Sequence, residues 1–319
     1  MKKLVRIDFC DFHSNFPKTD NFYYHLLSER FELQLCDQPD YLIFGPYGHE
    51  HRLHSGVRIL ASIEPGRPDY RFCDFSLSPL EIADPRHLQL PVYVTNGRAE
   101  ELIKNPGDAE KDLAAKKGFC SFVVSSQHPV KNRNRLEIFE ALGKYKRVDS
   151  GGRFMNNIGG PVPGGTRNKI EFLRKYKFNI AFENSSLPGY STEKIYEPFA
   201  ARSLPIYWGN PNITAEFNAR AFLRLTDFPG IPALVEQIIE LDKDDSKYLE
   251  FTRQPCFPAN KPNKFFDHAK ILDFFGKIFS SNIVPVAQAG RKKSLLGRWL
   301  FLKRHHWHDI PKPPSGTPA

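Results

Sequence analysis

Between Phe178 and Pro211 the chain reads FNIAFENSSLPGYSTEKIYEPFAARSLPIYWGNP, the pattern of a strand, a loop, a helix and a second strand. Ser191 or Thr192 stands where a helix N-cap belongs, and Glu193 in the first turn suits the positive end of the helix dipole. Lys194 opposes that end, at a cost on the order of a few tenths of a kcal/mol. A bound anion held by the helix N–H groups and the Lys194 ammonium together would offset the cost. The alternative is a lysine turned out into water. Gly189 and Tyr190, just ahead of the cap, favour the anion, because they allow close backbone approach and bring an aromatic hydroxyl.

Two further groups stand at the ends of apolar runs. The stretch KNRNRLEIFEAL follows SFVVSS, so Arg133 and Arg135 open a helix at a strand end, where a guanidinium fork suits a pyrophosphate. A solvated helix start is the other reading. Glu64 closes the run RILASI ahead of Pro65-Gly66, where a carboxylate can act as a general base; a plain surface glutamate is its alternative.

Three motifs invite chemistry that their spacing does not support. Gly159–Thr166 has the composition of a phosphate loop without the GK[ST] that defines one. His49, Glu50, His51 and His54 do not match the spacing of a helical zinc motif. Asp242, Asp244 and Asp245 resemble a metal-binding DxD but are fed by no apolar strand, so a solvated turn is expected. No resident metal follows from any of them.

The elements that must position these groups alternate. LVRIDF, FELQLC, YLIFG, VRILASI and LPVYV read as strands, with helices over 21–30 and 97–117. A second set follows, with FCSFVVSS, YKRVDS, FNIAFEN and LPIYWG as strands. Its helices are expected over 134–144, 168–176, 192–201, 232–241, 245–253 and 263–279. Apolar strands separated by helices predict parallel sheets covered on both faces. The class is therefore α/β, with two Rossmann-like domains, 1–117 and 118–285, facing across a cleft, and a tail over 286–319. Ligands of such sheets sit at the carboxyl ends of strands, where Glu64, Arg135 and the FEN loop fall.

The 319 residues are 40% hydrophobic and 25% charged, which excludes a disordered chain. No apolar run is long enough to span a membrane. The opening MKKLVRIDFC reads as a first strand, not a leader. Five cysteines without CxxC spacing read as reduced thiols of a cytosolic protein, so the sequons at Asn184 and Asn212 carry no glycan. The net charge of +9 is concentrated at the end: from Gly290 onward seven Lys and Arg stand against Asp309 alone. RKKSLLGRWLFLKRHHWH mixes cations with Leu, Trp and Phe, the composition of an interfacial anchor on anionic lipid. A cap packed on the protein body is the alternative. The charge is not spread over a domain face, which argues against nucleic acid.

The Phe178–Pro211 segment closely resembles the signature of the alpha-1,3/4-fucosyltransferases, the bacterial ones above all: a FEN…YxTEK core, then PIYWG. Ala61–Pro65, His87–Tyr93, FVVSS and RLEIFEAL are similar to further elements of that family in the same order. The resemblance covers about 56–211 and implies a GT-B type fold, GDP-fucose as donor and inversion at fucose C1. It implies that Glu64 is the base and that Lys194 and Arg135 neutralise charge on the departing GDP. Glu193 would hold the ribose hydroxyls, and Asn184 and Tyr190 would contact the nucleotide sugar. Arg133 and Glu183 stand beside these as further donor-side candidates. No cofactor is required, with Mn2+ or Mg2+ at most a stimulant.

The acceptor implied is N-acetylglucosamine, or glucose, in a lactosamine- or lactose-type glycan, giving Lewis-type structures such as those of a lipopolysaccharide O-antigen. The implied place is the cytoplasmic face of the membrane, held through the tail. This chain departs from the family in Leu187-Pro188, which stiffens a loop that is usually glycine-rich. Two alternatives stand beside this reading. One is a transferase of the same fold using another nucleotide sugar; the other is a peripheral membrane or nucleic-acid binding module driven by the tail.

Overall fold

A computed structural model describes residues 1–126 and 128–289. The chain divides into two compact units. One holds 1–77, 84–88 and the residues from Leu272 on; the other holds 78–83 and 89–271.

The strands of the first unit are β1 (Lys3–Cys10), β2 (Phe31–Leu35), β3 (Tyr41–Phe44), β4 (Val57–Ala61) and β5 (Phe75–Ser78), with β6 (His87–Gln89) at the edge. They form one sheet in the order β2-β1-β3-β4-β5-β6, and the pairings of β1 through β5 are parallel. All five residues of β4 are buried, as expected of a parallel strand covered on both faces. Helix α1 (Phe22–Arg30) joins β1 to β2, and the Asn21 side chain caps it by accepting from Tyr24 N at 2.9 Å.

In the second unit β7 (Gly118–Phe122), β8 (Val148–Ser150), β9 (Tyr176–Phe182), β10 (Leu204–Trp208) and β11 (Leu223–Arg224) make a parallel sheet, ordered β11-β10-β9-β7-β8. Its helices are α2 (Val92–Asn96), α3 (Ala109–Ala114), α4 (Pro129–Gly143), α5 (Thr166–Leu173), α6 (Glu193–Ala200), α7 (Ile231–Lys243) and α8 (Asp245–Thr252). α4 and α6 each lie against β9, with α7 packed on α4 and α5 on α6. Phe122, Ile138, Phe178, Ile206, Leu234 and Ile238 form the centre of this core, each fully buried. α9 (His268–Ser280) begins in this unit and ends in the first, where Phe279 meets the rings of Phe31 and Tyr41 at 5.1 and 4.6 Å; α10 (Val286–Ala289) follows.

Several sequence expectations change. LPVYV is helical, not extended: α2 buries Val92, Tyr93 and Val94 and packs on α6, with Val92 N donating to Ser191 O. Tertiary packing overrides the strand preference of its β-branched residues. The helix expected over 97–117 is broken by Asn105-Pro106-Gly107 and survives only as α3. α4 starts at Pro129 instead of 134. β5 and β11 have no counterpart among the expected strands. Residues 89–117 pack with the second unit, not the first, because Tyr93, Lys104 and Arg98 bond to residues 263, 252–260 and 196.

Among the described residues no helix is long and apolar enough to cross a membrane. The anchor composition of the tail lies, from Gly290 onward, outside the described residues. All five cysteines are free thiols.

Candidate active site

β9 runs into the sheet's carboxyl edge and delivers Glu183 and Asn184 directly after Phe182. Glu183 is wholly buried, and its N–H donates to Trp208 O at 2.7 Å. Its carboxylate accepts from Thr192 N at 2.8 Å and Thr192 Oγ1 at 2.7 Å. Thr192, and not Ser191, is the N-cap of α6, with Lys194 N donating to its hydroxyl. A carboxylate from the neighbouring strand thus holds the cap of the helix that bears Glu193 and Lys194. Gly209 is required beside it, since a Cβ there would stand 2.4 Å from Glu183 Cγ.

Lys194 does not turn into water. Its ammonium lies 2.8 Å from Glu193 Oε1, 3.6 Å from Glu183 Oε2 and 3.2 Å from Thr192 Oγ1. The anion expected opposite this lysine is therefore present, and it is built from the chain's own carboxylates. Burial alone would lower the Lys194 pKa, but Glu193 and Glu183 outweigh it and hold the ammonium above its usual range. Burial raises Glu193, and Lys194, with Lys169 behind it, more than reverses this and brings it to about 2. Glu183 goes up, chiefly because it is buried. The three groups form one coupled cluster.

Arg135 projects from α4 and is 1% exposed. Its Nε and one Nη donate to Phe182 O at 3.0 and 2.6 Å, and that Nη also donates to Asn184 Oδ1 at 2.7 Å. Burial lowers its pKa, opposed by Glu183, Tyr190 and Glu193. The guanidinium thus clamps the end of β9 and places a cation beside the carboxylates. Arg133 is exposed on the same helix.

The loop ahead of α6 is held as firmly. Leu187-Pro188-Gly189-Tyr190 is a type II turn, closed by Tyr190 N on Leu187 O at 3.0 Å, with Gly189 at φ +83°. A Cβ on Gly189 would also stand 2.4 Å from Pro79 O. Asn210, 1% exposed, secures the turn: its Oδ1 accepts from Gly189 N at 2.9 Å, and its Nδ2 donates to Ser191 Oγ and Glu216 Oε1. Tyr190 is buried at 2% exposure. The Leu187-Pro188 departure is therefore a built turn.

In the first unit Glu64 lies three residues beyond β4 and is half-buried. Tyr47 donates its hydroxyl to Glu64 Oε1 at 2.9 Å, and Glu64 N donates to Ser62 Oγ at 3.1 Å. The loop carrying Tyr47 is pinned by Asp11, which accepts from Glu50 N and His51 N, both at 2.9 Å, and from His51 Nδ1 at 2.6 Å. His51, stacked on Phe44 at 4.0 Å, is thereby committed to fixing this loop.

The acidic run lies between two helices with Asp245 largely in solvent, as expected, and departs from a solvated turn at Asp242. Asp242 is 4% exposed at its side chain and binds Tyr145, Lys146 and Lys177, Asp244 caps α8, and Asp245 pairs with Lys177 at 3.0 Å. Sequence reasoning passed over Asn210, Glu216 and the pair Lys169–Glu197, 3.0 Å apart. The signal for Glu197 was there: it lies four residues after Glu193, on the same helix face. Burial raises Glu197 to about 7, against the pull of Lys169, and Glu216 to about 8.

Residues 7–96 match the model of the alpha-(1,3)-fucosyltransferase FucT N-terminal domain, and 113–255 match that of the glycosyltransferase family 10 (fucosyltransferase) C-terminal part. Alpha-(1,3)-fucosyltransferase FucT of Helicobacter pylori is 28% identical over 305 residues, covering 82% of this chain and 62% of the relative. A human 4-galactosyl-N-acetylglucosaminide 3-alpha-L-fucosyltransferase is 32% identical over 165 residues, which are 51% of this chain and 44% of that one. The chain therefore spans under two thirds of the length of these curated relatives. A solved alpha1,3-fucosyltransferase superposes with a TM-score of 0.73 at 25% identity, covering 89% of this chain and 92% of the other. An Anabaena protein solved with UDP and glucose shares the fold alone, at 9% identity and a TM-score of 0.53, over 86% of this chain and 99% of that one. The fold is thus α/β of the two-sheet GT-B type.

Proposed function

The chain belongs to the family 10 fucosyltransferases, and on that premise we propose that it is an inverting alpha-1,3-fucosyltransferase. The donor is GDP-fucose and the acceptor a lactosamine- or lactose-type glycan, with Lewis-type products. The observation that carries the reading is the cluster at the start of α6, where an ionised Glu193, a charged Lys194 and a clamped Arg135 meet at the carboxyl edge of a parallel sheet.

In the reaction the Glu64 carboxylate takes the proton of the acceptor hydroxyl. The hydroxyl oxygen bonds to fucose C1 on the face opposite GDP, the bond from C1 to the phosphate oxygen breaks, and GDP departs with the electron pair. Its growing charge falls to Lys194 and to the field of Arg135. Arg135 acts here more as a fixed charge than as a fork, since its Nε and one Nη are engaged by Phe182 and Asn184. Glu193, ionised at neutral pH, accepts from the ribose hydroxyls and in doing so releases Lys194 toward the phosphates. Tyr190, Asn184 and Glu183 shape the donor pocket, and Arg133 stands at its solvent side. These cations and the helix start take the part a metal plays elsewhere, so Mn2+ or Mg2+ could at most stimulate turnover.

The basic, aromatic tail suits attachment to the cytoplasmic face of a membrane where lipid-linked and lipopolysaccharide glycans are built. Purified protein incubated with GDP-fucose and N-acetyllactosamine should add one deoxyhexose by mass, with an α linkage by NMR. Hydrolysis of GDP-fucose without a glycan product on either N-acetyllactosamine or lactose would refute the acceptor class. Removing residues 291–319 should release the protein from anionic vesicles and leave turnover on soluble acceptor intact; a tail-driven binding module would lose its function.

A further inference from the structure

Away from the α6 start, Asn96, Arg98, Glu101, Arg167, Arg174 and Arg202 are among the residues lining a cavity of about 570 Å³ along α5 and the end of α6. The size lies within the range of ligand pockets. Four guanidinium groups from three stretches of chain line it, two of them on α5 and its C-cap, and they outnumber the two carboxylates of the lining. Glu101 is engaged by the Tyr196 hydroxyl. Glu171 reaches only Arg174, at 4.0 Å, with both groups largely in solvent. Arg98, Arg167 and Arg202 form no ion pair among the described residues, whereas arginines such as Arg71, Arg86 and Arg147 each hold a carboxylate within 2.7 Å.

Arg202 is the most telling. It holds a left-handed backbone at φ +56°, its Nη2 bonds a carbonyl, that of Ile103, at 3.0 Å, and its Nη1 is buried without a partner. A strained, part-buried cation with an orphaned donor needs a compensating feature. Lys116, close by, registers the same field: burial lowers its pKa to about 7, and Arg174, Lys104 and Arg202 add to the depression against the pull of Asp112.

We propose that this cavity is a second anion-binding site, distinct from the candidate active site, that takes an oligophosphate or a phosphorylated headgroup. Guanidinium forks converging from several sides suit a group with many oxygens and more than one charge. Calorimetric titration of the full chain with inorganic tripolyphosphate tests it. Arg98→Gln/Arg174→Gln should weaken binding by about tenfold or more. Arg71→Gln/Arg220→Gln, which removes the same charge from exposed positions elsewhere, should leave it within about twofold. Thermal melts of both variants establish that they fold. Titration with a soluble short-chain phosphatidylglycerol separates the sources without a membrane surface: binding that is lost in the cavity variant assigns a lipid headgroup, and no binding of it beside binding of tripolyphosphate assigns a soluble phosphate. Absence of tripolyphosphate binding to the wild-type chain, or equal weakening in both double variants, would overturn the proposal.

Discussion

Lys194 Nζ and Glu183 Oε2 lie 3.6 Å apart, and the same glutamate caps the helix that carries the lysine through Thr192. One buried carboxylate thus fixes the helix start and, second to Glu193, helps hold its cation charged. Binding site and fold are coupled there, so changes at either residue should be read in stability and ligand affinity together.

Lys194→Ala removes the cation from between two carboxylates. Donor affinity should fall by about tenfold or more, a loss on the order of 1.5–3 kcal/mol for a charged hydrogen bond. Burial raises Glu193 and Lys194 chiefly reverses this to about 2, so without the lysine Glu193 should titrate higher. A depressed carboxylate contributes stability present above its unfolded pKa and lost as pH falls toward the folded one. The variant should therefore lose that contribution and unfold at a higher pH in acid titrations. Unchanged GDP-fucose affinity with an unchanged acid midpoint would place Lys194 outside the site.

Glu216 works in the opposite sense. Burial raises it to about 8, Oε1 accepts from Asn210, and Oε2 is buried without a partner. A raised carboxylate stabilises the fold fully below its unfolded pKa and withdraws that contribution as pH rises through the folded value. Between about 4.5 and about 8 each such proton contributes a slope of about 1.4 kcal/mol per pH unit. Glu216→Gln keeps the acceptor and cannot ionise, so chemical denaturation from pH 5 to 9 should show about one proton less of alkaline destabilisation. A slope equal to that of wild type would mean that Glu216 is ionised in the folded protein.

Gly189→Ala places a side chain at φ +83° and 2.4 Å from Pro79 O. Strain of this kind costs about 1–3 kcal/mol before the clash is counted. The melting temperature should drop by several degrees and GDP-fucose affinity should weaken with it, because Tyr190 and Ser191 follow directly. A silent substitution would show that the turn is not fixed in solution.

How much of this was legible beforehand differs by residue. The strands β1, β3, β4, β7, β9 and β10 announce themselves as apolar runs, since parallel strands buried on both faces need no alternation. LPVYV misleads for the same reason: a short apolar run cannot tell a strand from a buried helix. Lys194 and Glu193 stood out because their charges bear on a helix dipole, and Glu64 because it closes a strand. Asn210, 27 residues beyond Glu183, gave no local signal. Its importance lies in three hydrogen bonds to residues brought together only by β9, β10 and the turn between them. Charge compensation was likewise hidden, since sequence shows that Lys194 needs an anion but not that Glu183 supplies one.

Tyr47→Phe removes the hydroxyl that donates to Glu64 Oε1 at 2.9 Å. The carboxylate keeps its place in the loop but loses its orientation. Turnover should fall by about threefold to tenfold, with the Michaelis constant for GDP-fucose unchanged. A raised Michaelis constant at constant turnover would make Tyr47 a binding residue instead.

The proposed division of labour, with Glu64 as base and the α6 start as donor cradle, is tested most directly by Glu64→Gln. Turnover with N-acetyllactosamine and GDP affinity by calorimetry are measured on the same preparation. Loss of the base should lower kcat by about 100-fold or more and leave GDP affinity within about twofold. A kcat within about threefold of wild type would contradict the assignment of Glu64, and with it the mechanism built on that residue.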